Sequence, residues 1–172
     1  MQKTKTLTFC ALITAVLCVV SPFTIMLGTI PLTFSLFALM LCATAVGGKI
    51  TAVSALCYLV LGACGLPVFS NFTGGIGVML SFTGGFLFSY PLVALVAGIK
   101  TKYPYAMCLL SLLIAYTFGA LYYMYVANIS LSLAIKTAVL IFLPFDIVKA
   151  VFAGVLGKQI RKRLIKTRLL DY

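Results

Sequence analysis

Two side chains able to do polar chemistry stand together in an apolar setting at Leu143-Pro144-Phe145-Asp146-Ile147-Val148-Lys149. Asp146 is one of only two acidic residues in the 172-residue chain, and the other, Asp171, belongs to a polar tail. A carboxylate and an ammonium three positions apart share one face of a helix. Held at membrane depth, such a pair is expensive and by default marks a site facing a cavity. Pro144 suggests where the helix begins, because proline is tolerated in the first turn, where its missing N–H has no partner to lose. Asp146 then sits in the first turn, where the helix dipole favours a carboxylate by roughly 0.3–1 kcal/mol. The pair has two readings: an ion pair that closes a helix end, or a set of ligand contacts.

A second polar concentration lies at Leu66–Phe82, with Ser70, Asn71, Thr73, Gly74, Gly75 and Gly77. Phe72-Thr73-Gly74-Gly75 recurs as Phe82-Thr83-Gly84-Gly85. Irregular backbone near a bilayer is tolerated where it is buried in protein or lines a polar cavity. Asn71 brings both a donor and an acceptor to such a place, and the glycines allow close backbone approach. A flexible loop with no role is the alternative. A phosphate cradle is not supported, since G-x-x-x-x-G-K-[ST] does not occur.

Composition sets the solvent in which this chemistry takes place. The chain is 63% hydrophobic and 9% charged, with a mean hydropathy of +1.21, which leaves too little polar surface for a water-soluble domain. An integral membrane protein follows, a single membrane-embedded domain over residues 1–172. The net charge of +11 does not point to nucleic acid, because the basic residues fall at chain ends and between apolar blocks; membrane topology explains them. No cleaved signal peptide is expected, as the apolar chain continues past Ala11. With no histidine and one embedded carboxylate, acid–base catalysis lacks its parts, and no enzyme is expected. Cys10, Cys18, Cys42, Cys57, Cys64 and Cys108 lie in apolar stretches without a C-x-x-C pair, so neither disulfide, metal nor cofactor is expected.

The elements that must position these residues follow from the charge-free runs. Residues 6–48 carry no charge, too long for one span of roughly 20 residues and suited to two. Gly28-Thr29-Ile30-Pro31 divides them into helices over Leu7–Leu27 and Leu32–Val46, and Gly47-Gly48-Lys49 makes the next turn. Further helices are expected over Thr51–Ala63, Gly85–Ile99 and Tyr105–Val126. Leu131–Leu143 is too short to span before Pro144, and reads as a short surface or re-entrant helix ahead of a sixth span, Pro144–Ile160. The predicted fold class is an all-α integral membrane protein with six transmembrane helices and a short extra helix before the last. Lys3, Lys5, Lys49, Lys100, Lys102 and the basic tail then share one side, which the positive-inside rule makes the cytoplasm. Both termini are expected there. The Gly-rich stretch and the start of the Asp146 helix are expected near the outer face.

The run GACGLPVFSNFTGGIGVMLSFTGGFLFSYP (Gly62–Pro91), with LPFDIVKA (Leu143–Ala150), resembles the BioY proteins, the biotin-specific S components of energy-coupling factor (ECF) transporters. Two separated motifs agree in order and spacing. The resemblance implies a six-helix fold that captures biotin from outside, working with a transmembrane coupling subunit and two cytoplasmic ATPases. The family's helix start reads Pro-Gly-Asp, and Phe145 stands here in place of the glycine. Carried onto matching positions, the polar head of biotin meets Asp146, Lys149 and Asn71. A cyclic urea offers two N–H donors and a carbonyl acceptor, which a carboxylate with an amide or ammonium satisfies. Lys149 suits either this head or the carboxylate tail. Phe69, Phe82, Phe86 and Tyr90 are the candidates for aromatic walls. The resemblance also implies docking of the coupling subunit on small residues of the first helix. Ala11 and Ala15 have the one-turn spacing that lets helices approach closely, and internal packing explains the same pair equally well. A stand-alone proton-coupled carrier built on Asp146 is the alternative to an ECF component, since the chain contains no ATP site of its own.

Overall fold

The computed structural model describes residues 3–26, 31–167 and 169. Helix α1 spans Lys3–Val20. It stops short of Leu27 because Pro22 lacks the N–H a helix needs and disfavours helical backbone at the residue before it. The chain instead forms a ribbon in which β1 (Thr24–Met26) pairs antiparallel with β2 (Pro31–Thr33), Thr24 opposite Thr33. Most of the loop expected there, Gly28–Ile30, lies outside the described residues.

Helices α2 (Ser35–Val46) and α3 (Gly48–Ala63) are separated by Gly47 alone, at φ 132° and ψ 147°. Side chains rarely tolerate that backbone, so one glycine reverses the chain where a three-residue turn was expected. After α3 the Gly-rich stretch is irregular, with one 3₁₀ turn (Ser70–Phe72) and one short helix, α4 (Ile76–Met79). Helices α5 (Gly84–Ala97) and α6 (Pro104–Ala127) follow. Next come α7 (Leu131–Ile135), a π turn (Lys136–Leu140) and α8 (Leu143–Lys166), with a 53° bend between the α7 segment and α8. Pro144 lies in the first turn of α8, as its chemistry requires, and α8 runs past Ile160 to take in most of the basic tail.

The packed interior is rich in small residues. Ala43, Ala55, Ala94, Ala97, Ala150 and Ala153 are wholly buried beside Leu17, Leu39 and Val93. In lipid, where burying apolar surface gives helices little reason to associate, such residues let backbones approach and gain dispersion contacts. The outer surface is apolar as well, with Leu7, Val19, Val60, Leu113 and Phe152 exposed. That inversion suits a protein whose solvent is hydrocarbon. Helices α1 and α6 are long and apolar enough to cross a bilayer. With 12, 16 and 14 residues, α2, α3 and α5 are shorter, rising about 18–24 Å at about 1.5 Å per residue.

The bundle has two chemically different ends. At one, the backbone N–H of Asn71 donates to Pro22 O just past the end of α1 (3.1 Å), tying the Gly-rich loop to the end remote from Lys3 and Lys5. At the other, Gly48 packs against the backbone of Gly98, and Lys158 donates to Lys102 O at 3.0 Å. Lys49, Lys100, Lys102 and Lys158 therefore gather together. Asp146 and the Gly-rich loop lie away from them.

Candidate functional site

The first turn of α8 places Asp146 against α6 and β2. Its residue surface is 8% exposed, and each carboxylate oxygen has a donor. Tyr116 of α6 donates its hydroxyl to Oδ2 at 2.8 Å, and Lys149, one turn along α8, donates Nζ to Oδ1 at 3.0 Å. Lys149 also donates to Thr33 O on β2 at 2.9 Å, and its ammonium stands 5.1 Å from the centre of the Phe34 ring. Three elements thus hold one carboxylate in a fixed pose. Such charge-assisted bonds are about twice as strong as neutral ones.

Asp146 closes the polar end of a cleft with about 690 Å³ of empty space, counting the open solvent at its mouth. Aromatic walls rise from four elements: Phe69 from the Gly-rich loop, Phe86 and Tyr90 from α5, Tyr116 from α6 and Phe142 from the start of α8. Thr33, Ser70 and Thr83 add hydroxyls to this lining. Phe69 can enter because Gly62 of α3 has no side chain; a Cβ there would collide with the Phe69 ring. Gly119 makes the same allowance for Phe86. Behind the wall, Tyr58 meets Phe69 edge-on at 5.5 Å and stacks on Tyr90 at 6.2 Å. The Tyr90 hydroxyl is hydrogen-bonded to Ser35 Oγ at 2.6 Å. A mostly apolar slot with a few fixed polar groups at one end is the usual build of a small-molecule site.

The residues expected from sequence are distributed unevenly around this slot. Asp146 and Tyr90 line it, Lys149 braces Asp146 from behind, and Phe69 and Phe86 form walls. Phe82 does not line it, and meets Tyr123 edge-on at 5.8 Å. Asn71 is exposed beside the cleft-lining Ser70, in left-handed backbone at φ 56°, and its carboxamide oxygen accepts from Thr24 Oγ1 at 2.7 Å. It joins the loop to the ribbon. Tyr116, Thr33 and Phe142 were not identified from sequence. Tyr116 is one of several tyrosines on an apolar helix, and only packing shows that it meets the carboxylate. Ala11 and Ala15 are exposed on α1, on the flank away from the buried Ile13, Thr14 and Leu17.

Comparison with known proteins places the chain among relatives of similar length. A protein of Pyrococcus horikoshii named "Probable biotin transporter BioY" is 34% identical over 162 residues, covering 93% of this chain and 98% of that protein. "Biotin transporter BioY2" of Lactococcus lactis is 31% identical over 97% of both chains. "Biotin transporter BioY" of Thermotoga maritima is 34% identical over 87% of this chain and 91% of its own. The fold matches the crystal structure of an S component for biotin from an ECF-type ABC transporter with a TM-score of 0.82, at 24% identity, over 94% of this chain and 93% of that one. The model of the BioY family matches residues 1–166, and the chain belongs to the BioY family.

Proposed function

We propose that this protein captures biotin in the Asp146 cleft and serves as the substrate-binding S component of an ECF-type vitamin uptake transporter. The observation that carries the reading is a buried, doubly braced carboxylate at the end of an aromatic slot, in a member of the BioY family. An ionised carboxylate offers about four lone-pair positions. Tyr116 and Lys149 occupy one on each oxygen, and the remaining positions suit the paired N–H groups of a cyclic urea. The existing contacts then serve to orient the acceptor, and none need be broken. The Ser70 and Thr83 hydroxyls suit the ureido carbonyl, and the rings of Phe69, Phe86 and Tyr90 suit the fused rings and alkyl chain. Lys149 supplies positive charge to the head group. Asn71 takes part through the loop it anchors, its carboxamide turning from Thr24 toward the ligand.

The same reading places the chain in the cell membrane as a multi-pass protein with both termini cytoplasmic and the cleft opening outward. Delivery of the ligand to the cytoplasm then falls to partners: a transmembrane coupling subunit, docked at Ala11 and Ala15 of α1, and two ATPases. Their exposure away from the core of the bundle supports that assignment over internal packing. The test is a biotin titration on the purified protein, followed by uptake into liposomes with and without the coupling subunit and ATPases. Saturable one-to-one binding, with uptake only in the complete assembly, is expected. Uptake by the protein alone, driven by a pH gradient, would instead establish a proton-coupled carrier.

A further inference from the structure

The basic end of the bundle carries a second built concavity, unconnected to the cleft. Two grooves meet there along Lys102, Pro104 and Lys158. The first is flanked by Lys100 and Arg161, and the second continues past Tyr103, Tyr105 and Val155 toward the apolar flank of α8. Lys158 is held by its bond to Lys102 O at 3.0 Å, and Lys102 Nζ stands 5.5 Å from the centre of the Tyr103 ring. The first turn of α6 begins at Pro104, so the positive end of its dipole faces the junction. Among the described residues the only acidic side chain is Asp146, twelve positions and about 18 Å away along α8. Lys100, Lys102, Lys158, Arg161 and Lys162 therefore crowd together with no carboxylate among the described residues near enough to balance them.

We propose that this junction binds an anionic phospholipid, its phosphate seated among Lys102, Lys158 and Arg161 and an acyl chain lying along Tyr105 and Val155. Charge complementarity calls for an anion. The second groove favours a lipid over a free phosphate, because it leads from the cations onto Val155, 43% exposed, and Phe152, 58% exposed one turn further along α8. Tyrosines at 103 and 105 match the amphipathic rings that settle at headgroup depth. Basic pockets between membrane helices are known seats for such head groups. The proposal does not depend on what the cleft binds.

Native mass spectrometry of the detergent-purified full chain provides the test, with phosphatidylglycerol, phosphatidylcholine and glycerol 3-phosphate as probes. Retention of phosphatidylglycerol over phosphatidylcholine is expected. The double variant Lys158→Gln/Arg161→Gln should weaken it by about 25-fold, roughly fivefold for each charge removed. Arg163→Gln/Lys166→Gln removes the same charge outside the grooves and should leave retention within about twofold. Should the first variant fail to fold, as judged by monodispersity, Lys100→Gln/Lys102→Gln carries the same expectation. Equal losses in the two sets of variants, equal retention of phosphatidylcholine, or full competition by glycerol 3-phosphate at equal concentration would overturn the proposal. So would retention that is untouched by the groove variants while their assembly with the coupling subunit is lost, which would make the grooves a protein-docking surface.

Discussion

Replacing Asp146 by Asn separates a ligand-binding carboxylate from a structural one. Asn keeps the shape and one acceptor oxygen. If that oxygen stays with Lys149, the new NH₂ faces Tyr116, whose hydroxyl can turn and accept. Both contacts thus survive in weaker form, the one to Tyr116 as a neutral bond and the one to Lys149 as an ammonium–amide bond in place of an ion pair. Hydrogen bonds to charged groups contribute about 1.5–3 kcal/mol and neutral ones about 0.5–1.5 kcal/mol, so the Tyr116 contact loses roughly 1 kcal/mol, while the Lys149 bond keeps one charged partner. Lys149 still has the Thr33 carbonyl and the Phe34 ring, and is not stranded. The variant should therefore stay folded. The ligand is less well served, because the charge-assisted bond to a ureido N–H disappears and an amide donor turns toward another donor. That loss of about 1.5–3 kcal/mol is a 10- to 150-fold weaker affinity. Lys149→Met, which keeps much of the stem, should also weaken binding. Tyr116→Phe leaves the charge but frees its orientation, and should weaken binding by about 2- to 10-fold. The assay is calorimetric titration with biotin on monodisperse protein, with a thermal melt of each variant beside it. Wild-type affinity in both Asp146→Asn and Lys149→Met would refute the site. Affinity that falls only in step with the folded fraction would make the pair a structural brace.

Further outcomes can be checked separately. Gly62→Ala should push Phe69 out of the wall and weaken biotin binding more than it lowers the melting temperature; unchanged affinity would remove Phe69 from the site. Ala11→Trp or Ala15→Trp should reduce co-purification with the coupling subunit while leaving biotin affinity within about twofold, since both positions point away from the core; equal loss of binding would place them inside the bundle. A cysteine at Ser70 in a cysteine-free background should react with an impermeant maleimide added outside intact cells, and labelling solely from the cytoplasmic side would invert the proposed topology.

The start of α8 was legible because its signals are local and rare: a proline, an acid and a base within six residues of an otherwise apolar run. Gly47 and the Gly-rich loop announced breaks for the same reason. The end of α1 was misplaced because apolar residues continue on both sides of Ser21-Pro22, and uniform hydrophobicity masks where a helix gives way to a ribbon. Pro22 was the available signal. Tyr116 and Thr33 had none, since their importance arises only when α6 and β2 pack beside α8. Membrane helices whose outer and inner faces are both apolar carry little periodicity to show which side of a tyrosine-bearing turn faces inward. Asn71 was legible as a polar residue in an irregular loop, but its bond to Thr24 depends on a ribbon that was not foreseen.

Helix α8 is fastened at both ends and has almost no clearance between. Near its start Lys149 reaches Thr33, and near its end Lys158 reaches Lys102. Between these, a Cβ at Gly154 would meet the Tyr105 backbone at 2.5 Å and one at Gly157 would strike the Thr44 side chain. A 24-residue helix about 36 Å long that cannot roll or slide behaves as a strut. Access to the cleft must then come from a lighter part, the Gly-rich loop, swinging against a fixed post. Spin labels at the two ends of α8 should keep their separation when biotin is added, while a label on the Gly-rich loop should move relative to α8; a change in length or tilt of α8 would show that the strut itself gives way.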